Sequence, residues 1–237
     1  MSTVYLLTLR QLTSKWRLGI MTVLAALPPI IAAVMLSQHA APTVQQFETV
    51  VLGGMLCGAI APLVVLAIGA PAFANELEDR TLANLTLAPL PRWHIVLAKV
   101  MAVLTMSAPF VVVCALVTSW VAFLGDPRAI MAVTVGSLAG VTLYTSAFVL
   151  LGLMSTQAIG IGLLYVVVWE GFFSGFVAGA RLLSIRYTSV ALMHALDARR
   201  FAWATNVDSS AAVGVTLVGV VGFVWLSVRR LRRMDVP

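Results

Sequence analysis

Charged residues are so sparse along the chain that they divide it into long apolar runs. Residues 18–47, 49–75, 100–125, 129–169 and 209–228 contain no Asp, Glu, Lys or Arg. A bilayer core about 30 Å thick takes roughly 20 helical residues. Each run can therefore hold one crossing, and the fourth, 41 residues long, can hold two. Its polar break is the stretch 152–160, which contains Ser155, Thr156 and Gln157. The predicted spans are 18–37, 49–74, 97–123, 130–152, 158–179 and 210–228. A transmembrane β-barrel would show alternating segments of about ten residues, whereas these runs are continuous. The predicted fold class is all-α, an integral membrane protein with six transmembrane helices.

Composition agrees. Of 237 residues, 61% are hydrophobic and 10% charged, with a mean hydropathy of +1.01; a soluble domain carries roughly 45–50% apolar and about 25% charged residues. Soluble enzymes, disordered regulators, collagen-like chains and disulfide-stapled domains are excluded. The net charge of +6 suggests nucleic acid until the charges are placed on the topology. With the N-terminus inside, ten Lys and Arg fall in cytoplasmic segments: Arg10, Lys15, Arg17, Arg80, Arg92, Lys99, Arg229, Arg230, Arg232 and Arg233. Five fall outside: Arg128, Arg181, Arg186, Arg199 and Arg200. That asymmetry puts both termini in the cytoplasm of a multi-pass cell-membrane protein. The expected partner is the lipid bilayer and not nucleic acid, and the Arg229–Arg233 tail reads as a stop-transfer anchor attracted to anionic lipid. Cys57 and Cys114 fall inside predicted spans and read as small apolar residues. His39, His94 and His194 show no ligand spacing, so no metal site is expected.

Residues 1–17 form the first segment outside the spans. Tyr5, Leu9, Leu12 and Trp16 recur at helical spacing opposite Arg10, Ser14 and Arg17, which predicts an interfacial elbow helix. It leads into a first span expected to be retained, since no small-x-small cleavage site follows. The second segment is 75–99, NELEDRTLANLTLAPLPRWHIVLAK. Asn75 is placed to cap a helix with Glu76, Glu78 and Asp79 in its first turn. Leu77, Thr81, Leu82 and Leu85 supply a small apolar face, and Pro89 and Pro91 stop the helix. A short amphipathic helix of this kind suits docking of a cytosolic partner. No G-x-x-x-x-G-K-[ST] sequence occurs, so the chain has no P-loop of its own.

The acidic cluster, Arg80-Thr81-Leu82, the Leu-rich turn, Pro89, Arg92 and Lys99 resemble the coupling segment between the second and third spans of ABC type-2 exporter permeases. The runs Gly162-Leu163-Leu164-Tyr165, Trp169-Glu170-Gly171-Phe172 and Leu182-Leu183-Ser184-Ile185-Arg186 are similar to bacterial members of that family. The resemblance implies an elbow helix at 1–17 and one six-span permease domain at 18–237, with a coupling helix at about 75–90 and an outer loop or re-entrant segment at about 180–210. It also implies a homodimer bound to two cytosolic ATPase subunits, with ATP and Mg on the ATPase and no cofactor in this chain. Coupling roles fall on Glu76, Glu78, Asp79, Arg80, Thr81 and Leu82. The permease itself would not be an enzyme. Pro89-Leu90-Pro91 followed by Val96-Leu97-Ala98-Lys99-Val100-Met101 also resembles the heme-exporter permease of cytochrome c maturation, which is one alternative. A non-transporting scaffold driven by the ATPase is another, and an intramembrane enzyme would need a paired constellation that the sequence lacks.

Glu170 is the one acid well inside a predicted span and a candidate for the translocation path. The competing readings are a protonated carboxyl or one paired with Arg181 or with backbone near the outer surface. Glycines four apart, at Gly54 and Gly58, Gly136 and Gly140, and Gly171, Gly175 and Gly179, allow close helix approach within one subunit or between two. The segment 180–210 mixes leucines with four arginines; a lip that receives an amphipathic or anionic substrate and a plug that closes the exit share this composition.

Overall fold

The structure is a computed structural model that describes residues 2–37, 43–78, 91–176, 178–204 and 207–233. Six helices are long and apolar enough to cross a membrane: Lys15–Ser37, Val44–Glu78, Arg92–Phe123, Pro127–Met154, Ala158–Phe176 and Ser209–Arg233. They are called here the first to sixth spans. Each lies over its predicted run, and no strand occurs among the described residues.

Local chemistry explains most of the boundaries. Thr43 opens the second span with a capping box, accepting from Gln46 N while Gln46 Oε1 accepts from Thr43 N. Each bond satisfies a donor that a helix start leaves unpaired. Asp126 caps the fourth span by accepting from Arg128 N, with Pro127 in the first helical position. Leu124 and Gly125, at φ 44° and 98°, make the tight reversal between the third and fourth spans. The expected break between the fourth and fifth is present, where Gln157 N donates to Ser155 Oγ (3.1 Å).

The spans are not equivalent. In the most apolar window of each, 67% of the second and 61% of the fourth are buried, against 17%, 22% and 11% for the first, fifth and sixth. The second and fourth spans therefore form the core, and the others present Val23, Val117, Val167, Val218 and similar side chains outward. In a bilayer these exposed faces meet lipid tails, which are as apolar as the side chains. From Glu48 to Ile60 and from Tyr165 to Phe173 the backbone bonds run i to i+5. Widened turns of this kind occur frequently at functional sites, and the two stretches pack against each other.

The N-terminal helix differs from expectation. It spans Ser2–Leu12 and stops at Thr13 and Ser14, where Thr13 Oγ1 donates to Leu9 O (2.6 Å). Its buried face is Val4, Thr8 and Leu12. Tyr5 Oη donates to Thr105 Oγ1 (3.2 Å), which ties the helix to the third span. Trp16 lies beyond the break and is 77% exposed, because the interruption ends the periodicity that aligned it with Tyr5, Leu9 and Leu12.

A shorter helix, Ile185–Leu196, lies between the fifth and sixth spans in sequence and packs on the second, fourth and sixth. It is called the distal helix, at the distal end of the bundle; the opposite end, which carries Arg92 and Arg229–Arg233, is the basic end. Gly136 and Gly140 receive the distal helix on the fourth span, and a Cβ built on Gly136 would lie 2.6 Å from Met193 Cγ and 2.7 Å from the Ser189 carbonyl. On the second span, a Cβ on Gly58 would lie 2.9 Å from Arg186 Cδ, and Gly54 faces the same guanidinium. At a rise of 1.5 Å per residue, Gly136 and Gly140 lie about 14–20 Å along the fourth span from Pro127. Two of the glycine pairs thus serve packing of the distal helix within one chain. Gly175 and Gly179 face open space, and Gly171 meets only its own helix at Val166 O.

Candidate functional site

At the basic end, the second span continues without interruption through Pro71–Glu78. Asn75, expected as an N-cap, is therefore an exposed residue inside a helix. Nothing in Ala72-Phe73-Ala74 stops the chain, and Ala74 N donates to Ala70 O (3.2 Å) across the Pro71 position. The acids Glu76 and Glu78 consequently belong to the same helix as the second span. Glu76 is compensated directly: Lys99 Nζ on the third span lies 2.6 Å from its Oε1. The same ammonium donates to the Ala72 carbonyl and sits 4.3 Å from the centre of the Phe73 ring. Lys99 is fully buried and the Glu76 side chain is 11% exposed. Arg92 Nη1 donates to Leu231 O (2.6 Å), joining the third span to the last turn of the sixth.

Glu76 therefore faces the protein interior, whereas Glu78 is exposed. The remaining residues carried over as coupling residues, Asp79, Arg80, Thr81 and Leu82, lie outside the described residues. In the sequence Lys99 counts as a topology charge and as part of the resembling motifs, and no local spacing identifies a partner 23 positions away. A lysine seven residues into an apolar helix was the available signal.

At the distal end the intramembrane carboxylate has defined partners. Glu170 is fully buried. Its Oε1 accepts from Tyr165 Oη (3.0 Å) and from Ile185 N (2.9 Å), and Ser184 Oγ donates to Oε2. The Ser184 hydroxyl oxygen in turn accepts from Tyr187 N (3.3 Å) and caps the distal helix. Glu170 thus fastens the fifth span to the first turn of the distal helix through the Ser184 hydroxyl and the Ile185 amide. The Tyr144 hydroxyl is buried nearby.

A second attachment lies further out. Trp203 Nε1 donates to Glu48 Oε2 (2.9 Å), and Gly53 leaves room for that indole. Arg200 Nε stands 3.9 Å from Glu48 Oε1, and Arg200 Nη1 donates to Asp126 Oδ2 (3.0 Å). The guanidinium also lies 4.5 Å from the Phe123 ring centre. The hydrogen bond from Arg200 holds the Asp126 carboxyl below the ordinary carboxylate range. His194 Nδ1–H donates to Phe201 O (2.8 Å). Residues 185–204 are therefore anchored to the second and fifth spans and to the third–fourth turn by named polar contacts, and to the fourth span by packing at Gly136 and Gly140.

Between the fourth, fifth and sixth spans runs a groove of about 770 Å³, bounded by Leu143, Phe148, Tyr165, Ile185, Gly214 and Phe223 among others. Its lining is almost wholly apolar and suits a hydrocarbon chain. Among the described residues, no three His, Cys, Asp or Glu side chains cluster so as to hold a metal ion.

Six apolar helices, of which the second and fourth are buried among the others, with a charged clamp at one end and the distal helix at the other, define a polytopic membrane protein. Residues 13–190 match the family model described as ABC-2 family transporter protein. That is about three quarters of the chain, and the chain belongs to this family: it is a membrane permease subunit of an ABC transporter. Membership implies association with an ABC ATPase and with the membrane. The match covers the first five spans and ends inside the distal helix, and no curated protein matches the chain.

Proposed function

We propose that this subunit is the permease half of an exporter in the cell membrane. Two copies form the path, and two cytosolic ATPase subunits, carrying ATP and Mg, dock on the segments that follow Glu78. The observation that carries this reading is the Glu76–Lys99 clamp. It binds the last turn of the second span to the start of the third on either side of residues 79–90. A displacement of that segment by the ATPase therefore moves both spans together, and the second span is the most buried of the six. In this reading Glu78, Asp79, Arg80, Thr81 and Leu82 contact the ATPase, while Glu76 positions the segment from inside. Glu170 acts on the path through the distal helix, by holding its first turn.

The test is purification of the tagged chain from native membranes in mild detergent, with the mass of the intact complex. A two-plus-two assembly with a P-loop ATPase is expected. The double variant E78A/R80A should insert normally and lose the ATPase. Unchanged ATPase binding and unchanged stimulation of its hydrolysis would overturn the docking assignment. ATP hydrolysis without any vectorially transported species in vesicles would favour a scaffold over an exporter.

A further inference from the structure

We propose that the basic end of the sixth span is a binding site for an anionic phospholipid, independently of what the transporter carries. A cleft of about 410 Å³ opens between the ends of the fourth and sixth spans, lined by Leu150, Met154, Leu226, Arg229, Arg230 and Arg233. Leu226, Arg230 and Arg233 recur at helical spacing and share one face with Arg229. The cleft is apolar on its membrane side and cationic on its aqueous side, as a phosphodiester group above acyl chains requires. A second cleft of about 380 Å³ lies round the same helix, lined by Trp225, Val228, Arg229 and Arg232. Arg229 belongs to both, with its guanidinium 5.2 Å from the Trp225 ring centre. An indole at this depth is the usual marker of the headgroup level.

The four arginines have no competing task in view. Among the described residues no carboxylate forms an ion pair with any of them, and the Leu231 carbonyl is already taken by Arg92. A stop-transfer signal needs only positive charge near the helix end, not an apolar cleft beneath it. The choice of residue points the same way: this turn holds four arginines and no lysine, and the guanidinium fork matches phosphate oxygens in two-point contacts that an ammonium cannot make. The surface potential of an anionic leaflet would concentrate such lipids at this end.

Native mass spectrometry of the full chain in detergent tests the proposal, with titrated phosphatidylglycerol, phosphatidylcholine and inorganic phosphate as probes. Phosphatidylglycerol adducts should persist where phosphatidylcholine adducts dissociate, and inorganic phosphate should bind far more weakly than the lipid. At about fivefold per cation, R229Q/R230Q/R233Q should weaken binding about 100-fold. Met154→Trp fills the cleft at unchanged charge and should also release the lipid, while R10Q/K15Q/R17Q makes the same charge change elsewhere and should retain it. Equal retention of the two lipids, equal losses in the two triple variants, or inorganic phosphate bound as tightly as phosphatidylglycerol would each overturn the proposal. Thermal transitions of every variant establish that it is folded.

Discussion

Replacing Lys99 by Met keeps a long unbranched side chain and removes the cation. At 2.6 Å and an effective dielectric of about 20, the attraction to Glu76 is about 6 kcal/mol. Desolvation of two buried ions opposes it by several kcal/mol each, so the intact pair lies near balance. The single substitution removes the attraction while Glu76 stays desolvated beside Phe73 and the Ala72 carbonyl, and one-sided loss of a buried pair costs about 3–5 kcal/mol. For a chain of this size, 1 kcal/mol corresponds to about 2–4 °C, so the apparent Tm of K99M should fall by about 6–20 °C. The double variant E76Q/K99M removes both charges and should recover most of the loss. The assay is tryptophan fluorescence on heating in mild detergent at one fixed scan rate, since unfolding of such a chain is operationally a rate. A K99M transition within about 2 °C of the parent, or a double variant less stable than the single one, would refute the clamp.

Four further outcomes follow from the distal end. Gly136→Ala drives a methyl group against Met193 and the Ser189 carbonyl and should destabilise by about 1–3 kcal/mol. Gly214→Ala, which points into open space, should change the same thermal transition by less than about 0.5 kcal/mol. Glu170→Gln weakens a carboxylate that accepts from Ile185 N, at a cost of about 1.5–3 kcal/mol. Hydrogen exchange at the Ile185 amide should accelerate, and unchanged protection would argue against the capping role. Because Arg200 lowers the Asp126 carboxyl, the contribution of that contact is present above the ordinary carboxylate pKa and is lost as pH falls through the lowered folded value. Asp126→Asn should therefore speed exchange in residues 197–204 at neutral pH and make no difference in acid below both values; a difference that persists there would point to another cause.

How far the site could be read in advance is clearest at Glu76 and Glu170. Glu170 stands out in the sequence as the one acid well inside a predicted span and Glu76 as one of an acidic cluster outside the spans, but their contacts depend on partners 23 and 14–15 positions away, Lys99 for Glu76 and Ser184 with Ile185 for Glu170. Sequence spacing ranks partners within one helical turn, and these contacts cross between helices. Asn75 shows the opposite error, where a good local capping pattern lost to a helix already propagating from the membrane. Extending an existing helix adds a bond for each residue fixed, whereas starting a new one needs an unfavourable nucleus.

The sequence by itself determined the number of spans, their approximate limits, the turn at Ser155–Gln157 and the all-α class. These follow from one strong constraint: in hydrocarbon every backbone N–H and C=O must be paired within the segment, so apolar length alone dictates a helix. Only the packing of the helices shows which spans are central, which glycine pairs receive the distal helix, and that Glu76 turns inward while Glu78 is exposed. Lipid and protein interior are equally apolar, so hydropathy cannot tell a lipid-facing valine from a core one. Only close packing against Gly54, Gly58, Gly136 and Gly140, together with the few polar contacts at either end, makes that distinction.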